Sequence, residues 1–289
     1  MVISGCGLAW SRTGASQVNG ILEDFKAFCK IDLQLQKGTI KNHALHIKRF
    51  LQLNPNLNAS TIKDIRSFLA SYIDKSQYTY ANCLKAVKVF FRDYVKRPDL
   101  VQSFKFPKIP FKPKIIPTKK ELRYFYYALT TLKDKALFLF YATSGHRRSE
   151  VLGLTIDDLD FEKQMIIPNN SHAGLTKNSW VSFYNDEAKN VLNEYLSSRR
   201  FRNPKLFPMA RSKLTRLWGQ TRDKTRLNIT PQKLREWFCV EMAELGIQDR
   251  YIDAFCGRTP KSVLARHYTD YSPERLKRIY DKANIKVLS

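Results

Sequence analysis

The sequence predicts a mainly α-helical protein with a small antiparallel β-sheet, divided into a helical N-terminal domain and a C-terminal α+β domain. Three observations carry this reading. Apolar residues recur at helical spacing through 19–97; a connection over 98–117 is rich in proline and lysine; and helical periodicity resumes at Thr118, broken later by two short strand-like runs. Residues 1–18 read as an N-terminal extension.

Four amphipathic segments account for the N-terminal domain. "VNGILEDFKAFCKIDL" places Ile21, Phe25 and Phe28 on one face, and "KGTIKNHALHIKRFLQL" does the same with Ile40, Ala44, Ile47 and Leu51. "STIKDIRSFLASYI" and "YTYANCLKAVKVFFRDYV" each open near a hydroxyl residue able to cap a helix. The connection then holds Pro98, Pro107, Pro110, Pro113 and Pro117 with Lys105, Lys108, Lys112 and Lys114. Proline favours extended backbone, so this is a stiff linker whose charge could also follow a phosphate backbone.

"TKKELRYFYYALTTL" is the first helix of the C-terminal domain. "DKALFLFYATSG" is apolar almost all round, hence a buried helix, and Gly145 ends it. "FEKQMIIP" and "SWVSFY" read as two strands of a long hairpin around the loop "NNSHAGLTKN". Residues 199–226 carry ten basic side chains and one acid, a density that suits a contact surface or a solvated face. Thr230–Pro231 and Ser272–Pro273 are N-cap and first-turn pairs that start the helices "QKLREWFCVEMAEL" and "ERLKRIYDKA".

The charge is +24, from 50 Lys and Arg against 26 Asp and Glu, and it is spread along the whole chain. Such a surplus points to a polyanion, with duplex DNA the first candidate, held by both domains and the linker. The five cysteines (Cys6, Cys29, Cys83, Cys239, Cys256) lack a C-x-x-C pair. They suggest no disulfide framework or zinc site and read as small buried hydrophobes in a reducing compartment. No metal or other cofactor is expected. With no signal-like or membrane-length apolar run, a cytoplasmic, DNA-associated protein is expected and no membrane partner.

Three stretches need one explanation: "TSGHRRSEVLGLTIDDLDF", "TPQKLREWF" and "CGRTPKSVLARHYTD". Together they resemble the tyrosine recombinase, or phage integrase, family, most closely its archaeal virus- and plasmid-type integrases. Gly145, Arg147, Ser149, Glu150, Leu152, Leu154 and Asp158 fall into the family's first box. The resemblance spans roughly 118–289, and the preceding helical bundle and linker look like the family's SAM-like core-binding domain and hinge. It implies that Arg147 and Arg235 clamp a phosphate, with Gln232 at the usual histidine position of the second box and Arg258 at the third-box position. It also implies Lys177, the lysine of the hairpin loop, as general acid and Tyr268 as nucleophile. Tyr268 lies ten residues beyond Arg258, whereas family spacing falls one earlier, on His267. Tyr271 is the competing tyrosine, and His267 is a neighbour that could assist. Two protomers per DNA site and four per synapse are implied as well.

These residue types meet the needs of metal-free phosphodiester chemistry. An arginine fork bonds two phosphate oxygens and keeps its charge. Lysine holds a transferable proton for the leaving 5′ oxygen. A tyrosine oxygen can conserve the bond as a 3′-phosphotyrosine. Three rival readings stay open. A metal-dependent transposase would draw on Asp157, Asp158, Asp160 and Glu162, which read better as a polar turn. The others are a type IB topoisomerase-like activity and a non-catalytic DNA-binding protein.

Overall fold

Local capping signals set many of the helix ends in the computed structural model, which describes residues 12–167, 181–199, 203–260 and 262–289. The chain is mainly helical, with one small antiparallel sheet, and forms two compact units that divide between Pro113 and Lys114. The division falls inside the proline-rich stretch.

In the N-terminal unit, α1 (Arg12–Ile31) begins within the stretch read from sequence as an extension. It packs with α2 (Lys37–Leu53), α3 (Ile62–Ala70) and α4 (Gln77–Lys88). Thr61 and Asp64 close a capping box on α3, and the Ser76 hydroxyl accepts the Thr79 N–H on α4. Fully buried Phe25, Phe50, Phe90 and Phe91 centre the core, with edge-to-face pairs such as Phe25–Phe90 at 5.1 Å and Phe50–Phe91 at 5.3 Å. One local departure from the sequence reading is that α4 runs on into a π-helical turn, Val89–Tyr94. Val89, Phe90 and Phe91 are all buried there, at consecutive positions that a regular α-helix would set about 100° apart.

His43 of α2 is 2% exposed, and neither ring nitrogen has a hydrogen-bond partner among the described residues. Burial, with Lys85 and His46 nearby, pushes it down to about 4. A folded-state value below the unfolded one means that its contribution is present above about pH 6.5 and lost as pH falls toward 4. The unit is therefore expected to lose about 3 kcal/mol over that window. Thermal melts across this range should show the loss in the native protein and a flatter profile in His43→Leu.

In the C-terminal unit, α5 (Lys119–Tyr127) starts at a capping box of Thr118 and Glu121. Helix α6 (Leu132–Ser144) is the expected buried helix: Ala136 to Ala142 are all fully buried, and α8 (Asp186–Ser197) and α10 (Pro231–Glu244) pack on it. After α7 (Arg148–Val151) comes the sheet, in the order β1 (Leu159–Asp160), β2 (Met165–Ile166), β3 (Ser182–Phe183). The predicted hairpin is β2–β3, with Met165 opposite Phe183. β1 extends it to a third strand that the sequence reading left in the polar turn. The acids of that turn serve local structure: Asp158 closes a cap on Thr155, and Asp160 accepts the Lys163 N–H.

Within the 199–226 stretch, α9 (Arg211–Thr225) buries Leu214, Trp218, Thr221 and Thr225 at helical spacing. Arg211, Lys213, Arg216, Arg222 and Lys224 remain exposed on its other side. Thr230 caps α10, with Pro231 in its first turn. α11 (Asp249–Phe255), α12 (Val263–His267) and α13 (Pro273–Ala283) complete the unit. Residues 285–289 pack back onto α8: the Glu187 carboxylate accepts the N–H groups of Val287, Leu288 and Ser289, while Asn185 donates to the Ile285 carbonyl. No described helix is long and apolar enough to cross a membrane.

Candidate active site

The last carbonyls of a helix have no partner within it. At the end of α6 three distant elements supply them in succession. The Tyr280 hydroxyl of α13 donates to Thr143 O at 2.7 Å, and the Ser182 hydroxyl of β3 to Ser144 O at 2.6 Å. The Arg235 guanidinium of α10 donates to Gly145 O. A cation at the negative end of the helix dipole is favourably placed. Gly145 itself adopts φ 67°, a left-handed turn that stops α6 and leads directly into Arg147.

Arg235 is only 4% exposed. Its Nη1 caps Gly145, and its Nη2 donates to the Cys256 carbonyl at 2.8 Å. Arg147 reaches the same carbonyl through Nη1 at 3.5 Å and donates to Glu150 Oε1 at 2.7 Å. One backbone oxygen, at the end of α11, thus receives both arginines. Burial raises the Glu150 carboxyl, but the Arg147 N–H bonded to it, His146 and the Arg147 guanidinium more than offset this, so it lies below the usual carboxylate range. It is the anion that holds Arg147 against the helix start.

Arg258 lies two residues beyond the shared carbonyl. Its Nη1 pairs with Asp253 at 2.7 Å, and its Nη2 reaches the Cys239 sulfur at 3.4 Å. Burial pushes Arg235 below its ordinary value; Arg147 and Arg258 act the same way, against Cys256 and Glu150. Three guanidinium groups are therefore held within mutual electrostatic range. The Nε and Nη2 donors of Arg147 have no partner among the described residues. Such a cluster is chemically suited to an anion that presents several oxygens.

The remaining sequence-predicted residues stand apart from these contacts. Gln232 and Arg235 were expected on one face of α10, yet Gln232 is exposed and donates to Glu236 at 3.1 Å, whereas Arg235 is buried. The 60° between their directions carries Gln232 over the rim of the helix into solvent. Tyr268 follows α12 and is 76% exposed, and His267 beside it is exposed too. Tyr271 is half-buried, and its hydroxyl donates to Ala265 O at 2.7 Å. Lys177 lies outside the described residues.

Sequence reasoning missed the part played by two cysteines. Cys239 and Cys256 are far apart in the chain, but α10 and α11 bring their sulfurs to 3.5 Å. The Cys256 thiol hydrogen-bonds Cys239, whose own value is lowered below that of an ordinary thiol; Arg258 and Arg235 reinforce this against burial. The partner effect on Cys256 is upward, from that hydrogen bond and from burial. The reading as inert hydrophobes holds better for Cys29 and Cys83, both fully buried with raised thiols. No motif spacing marks the other pair, and the Cys256 backbone oxygen has no signature in a side-chain pattern.

Among the described residues, no group of three or more His, Cys, Asp or Glu could hold a metal ion.

The chain is similar to the tyrosine recombinase XerA of Pyrococcus horikoshii, 28% identical over 194 residues that cover 64% of this chain and 66% of that protein. XerA of Thermococcus onnurineus is 26% identical over 193 residues, covering 61% of this chain and 66% of the relative. These matches span slightly less than two thirds of each relative's length. In fold, the chain is similar to a lambda integrase dimer bound to a COC′ core site, with TM-score 0.67 and 16% identity over 91% of this chain and 82% of that one. A lambda integrase tetramer bound to a Holliday junction gives TM-score 0.66 and 13% identity, over 98% and 84%. Residues 21–99 match the N-terminal SAM-like domain of phage integrases, and residues 117–275, more than half of the chain, match the phage integrase family itself, to which this protein belongs.

Proposed function

We propose that the protein is a site-specific DNA recombinase that breaks and rejoins strands through a 3′-phosphotyrosyl intermediate. The observation that carries this reading is the convergence of Arg147 and buried Arg235 on the Cys256 carbonyl, with the more exposed Arg258 close by: a preformed cationic cluster with donors to spare. Its like charges burden one another. A phosphate in the cluster relieves that repulsion, and one gathering negative charge in a transition state relieves it most.

In the proposed reaction the Tyr268 oxygen attacks the phosphorus of a scissile phosphodiester, and Arg147 and Arg235 hold the non-bridging oxygens. Arg258 is an auxiliary donor. Lys177 protonates the departing 5′ oxygen, and Gln232, where relatives carry histidine, reaches the phosphate only by leaving Glu236. The exposure of Tyr268 suits a nucleophile that must reach an extended duplex, whereas Tyr271 already donates its hydroxyl within the fold. Religation to another strand reverses the step, because the energy of the bond stays in the phosphotyrosine. No metal or ATP enters.

The substrate is a duplex attachment site in the host cytoplasm. The family relationship supports assembly as a dimer on each site and a tetramer in the synapse, the states in which lambda integrase has been described on a core site and a Holliday junction.

The test is a suicide duplex whose cleaved strand cannot religate. The native protein should form a covalent DNA adduct, resistant to denaturant and insensitive to chelator. Tyr268→Phe should form none while still shifting the duplex in a gel. No adduct with the native protein across candidate attachment sites, or an adduct with Tyr268→Phe, rejects the assignment; chelator-sensitive cleavage favours the transposase.

A further inference from the structure

We propose that Cys239 and Cys256 form an oxidisable dithiol, a modification site that reacts with a hydroperoxide, closes to a disulfide and disables the arginine cluster. The two sulfurs stand 3.5 Å apart, already in contact, on α10 and at the end of α11. Closing to a disulfide length of about 2.05 Å needs a shift of about 1.5 Å between them. They also differ in access, as an attacking and a resolving thiol must. Cys239 is partly exposed, while Cys256 is 1% exposed, against Gly145.

The surroundings favour the thiolate at Cys239. Arg258 Nη2 is directed at its sulfur at 3.4 Å, and Cys256 lends it a hydrogen bond, so the pair gives up its first proton from Cys239. Thiolate beside guanidinium is the microenvironment of reactive cysteines. In the first step the Cys239 sulfur attacks one peroxide oxygen and the O–O bond breaks. The departing oxygen takes a proton and leaves as water or an alcohol, and Cys239 becomes a sulfenic acid. The Cys256 sulfur, giving its proton to solvent, then attacks the Cys239 sulfur. The S–O bond breaks, and hydroxide leaves and is protonated to water. Two thiols have lost two electrons to one peroxide.

The consequence for the site follows from what each cysteine holds. A disulfide removes the negative sulfur that receives Arg258, leaving that side chain to Asp253 alone. It also pulls on the residue whose carbonyl receives Arg235 at 2.8 Å and Arg147 at 3.5 Å. All three guanidinium groups are therefore tied to this one pair. The effect on cleavage rests on the recombinase reading above; the chemistry of the pair does not.

The experiment treats the full-length protein with hydrogen peroxide, removes the excess with catalase and splits the sample. Peptide mapping without reductant should recover a Cys239–Cys256 linked pair that has lost the two thiol hydrogens. Covalent adduct on the suicide duplex should fall roughly tenfold or more, in keeping with misplacement of transition-state donors, and return with dithiothreitol. Duplex binding in a gel shift should persist. In Cys239→Ala, the ratio of treated to untreated adduct should stay near one. Absence of the linked pair, or a linked pair with undiminished adduct, overturns the proposal. If untreated protein forms no adduct, the recombinase reading fails, and the peptide map still decides the dithiol, since it needs neither DNA nor a variant that folds.

Discussion

Replacing Arg235 with lysine is expected to lower covalent-adduct formation by about 10²–10³-fold, the range for loss of a preorganised transition-state donor. Charge is not the issue, since lysine keeps it. The guanidinium fork places Nη1 on the Gly145 carbonyl and Nη2 on the Cys256 carbonyl, fixing the α6 terminus, the Arg147 turn and the end of α11 relative to one another. An ammonium on a flexible stem cannot bridge both acceptors and still present fixed donors to a phosphate. Arg235→Ala should go further. It leaves the Gly145 carbonyl without its donor and the Cys256 carbonyl with only the 3.5 Å bond from Arg147, in a site where the native side chain is 4% exposed, a loss of about 1–3 kcal/mol in stability. Single-turnover cleavage beside thermal melts separates the two effects: lysine should impair cleavage with a small change in melting, alanine should impair both.

Gly145→Ala is the second large effect, and it acts on folding first. A Cβ at this position would meet the Phe238 ring at 2.7 Å and the Cys256 sulfur at 3.1 Å. The φ of 67° adds strain that an L side chain rarely tolerates. Overpacking of this kind costs about 1–3 kcal/mol and the left-handed backbone about 1 more, so a loss near 3 kcal/mol is expected. For a unit of this size, that lowers the melting temperature by about 6–12 °C. Because Phe238 and Cys256 flank the arginine cluster, any protein that still folds should also cleave poorly. A variant that melts within a degree or two of the native protein would show that the α6 terminus is not the rigid base described here.

Much of the fold was legible because capping is local. Thr61, Ser76, Thr118 and Thr230 each announce a helix that starts where they stand. The apolar run of α6 could only be a helix buried on every side. What escaped reading was set by tertiary packing. The π-turn at Val89–Tyr94 exists because three consecutive side chains all find the core, and β1 is two residues long and owes its existence to β2.

The site divides in the same way. Arg147 and Arg235 were identifiable from motif spacing, but their meeting point is a main-chain oxygen. Gln232 shows the converse limit. Three residues before Arg235, it occupies the expected position of the motif, yet its side chain turns to Glu236. The cysteine pair is a purely tertiary event, created by the approach of α10 and α11.

The linker, finally, sets a search radius. At one end Phe106 lies beneath the Lys88 ammonium, 5.7 Å from ring centre to nitrogen. At the other, Lys114 pairs with Glu236, and Lys233 donates to the Ile115 carbonyl, both on α10 within a turn of Arg235. The stretch without such anchors is Pro107–Pro113, seven residues including three prolines. At about 3.1 Å per residue in proline-rich extended backbone, it spans about 22 Å. In the proposed complex, once one unit holds a duplex, the other searches a small tethered volume, at an effective concentration in the millimolar range. Second-site engagement then becomes a local event, governed by tether length more than by the concentration of protein in solution.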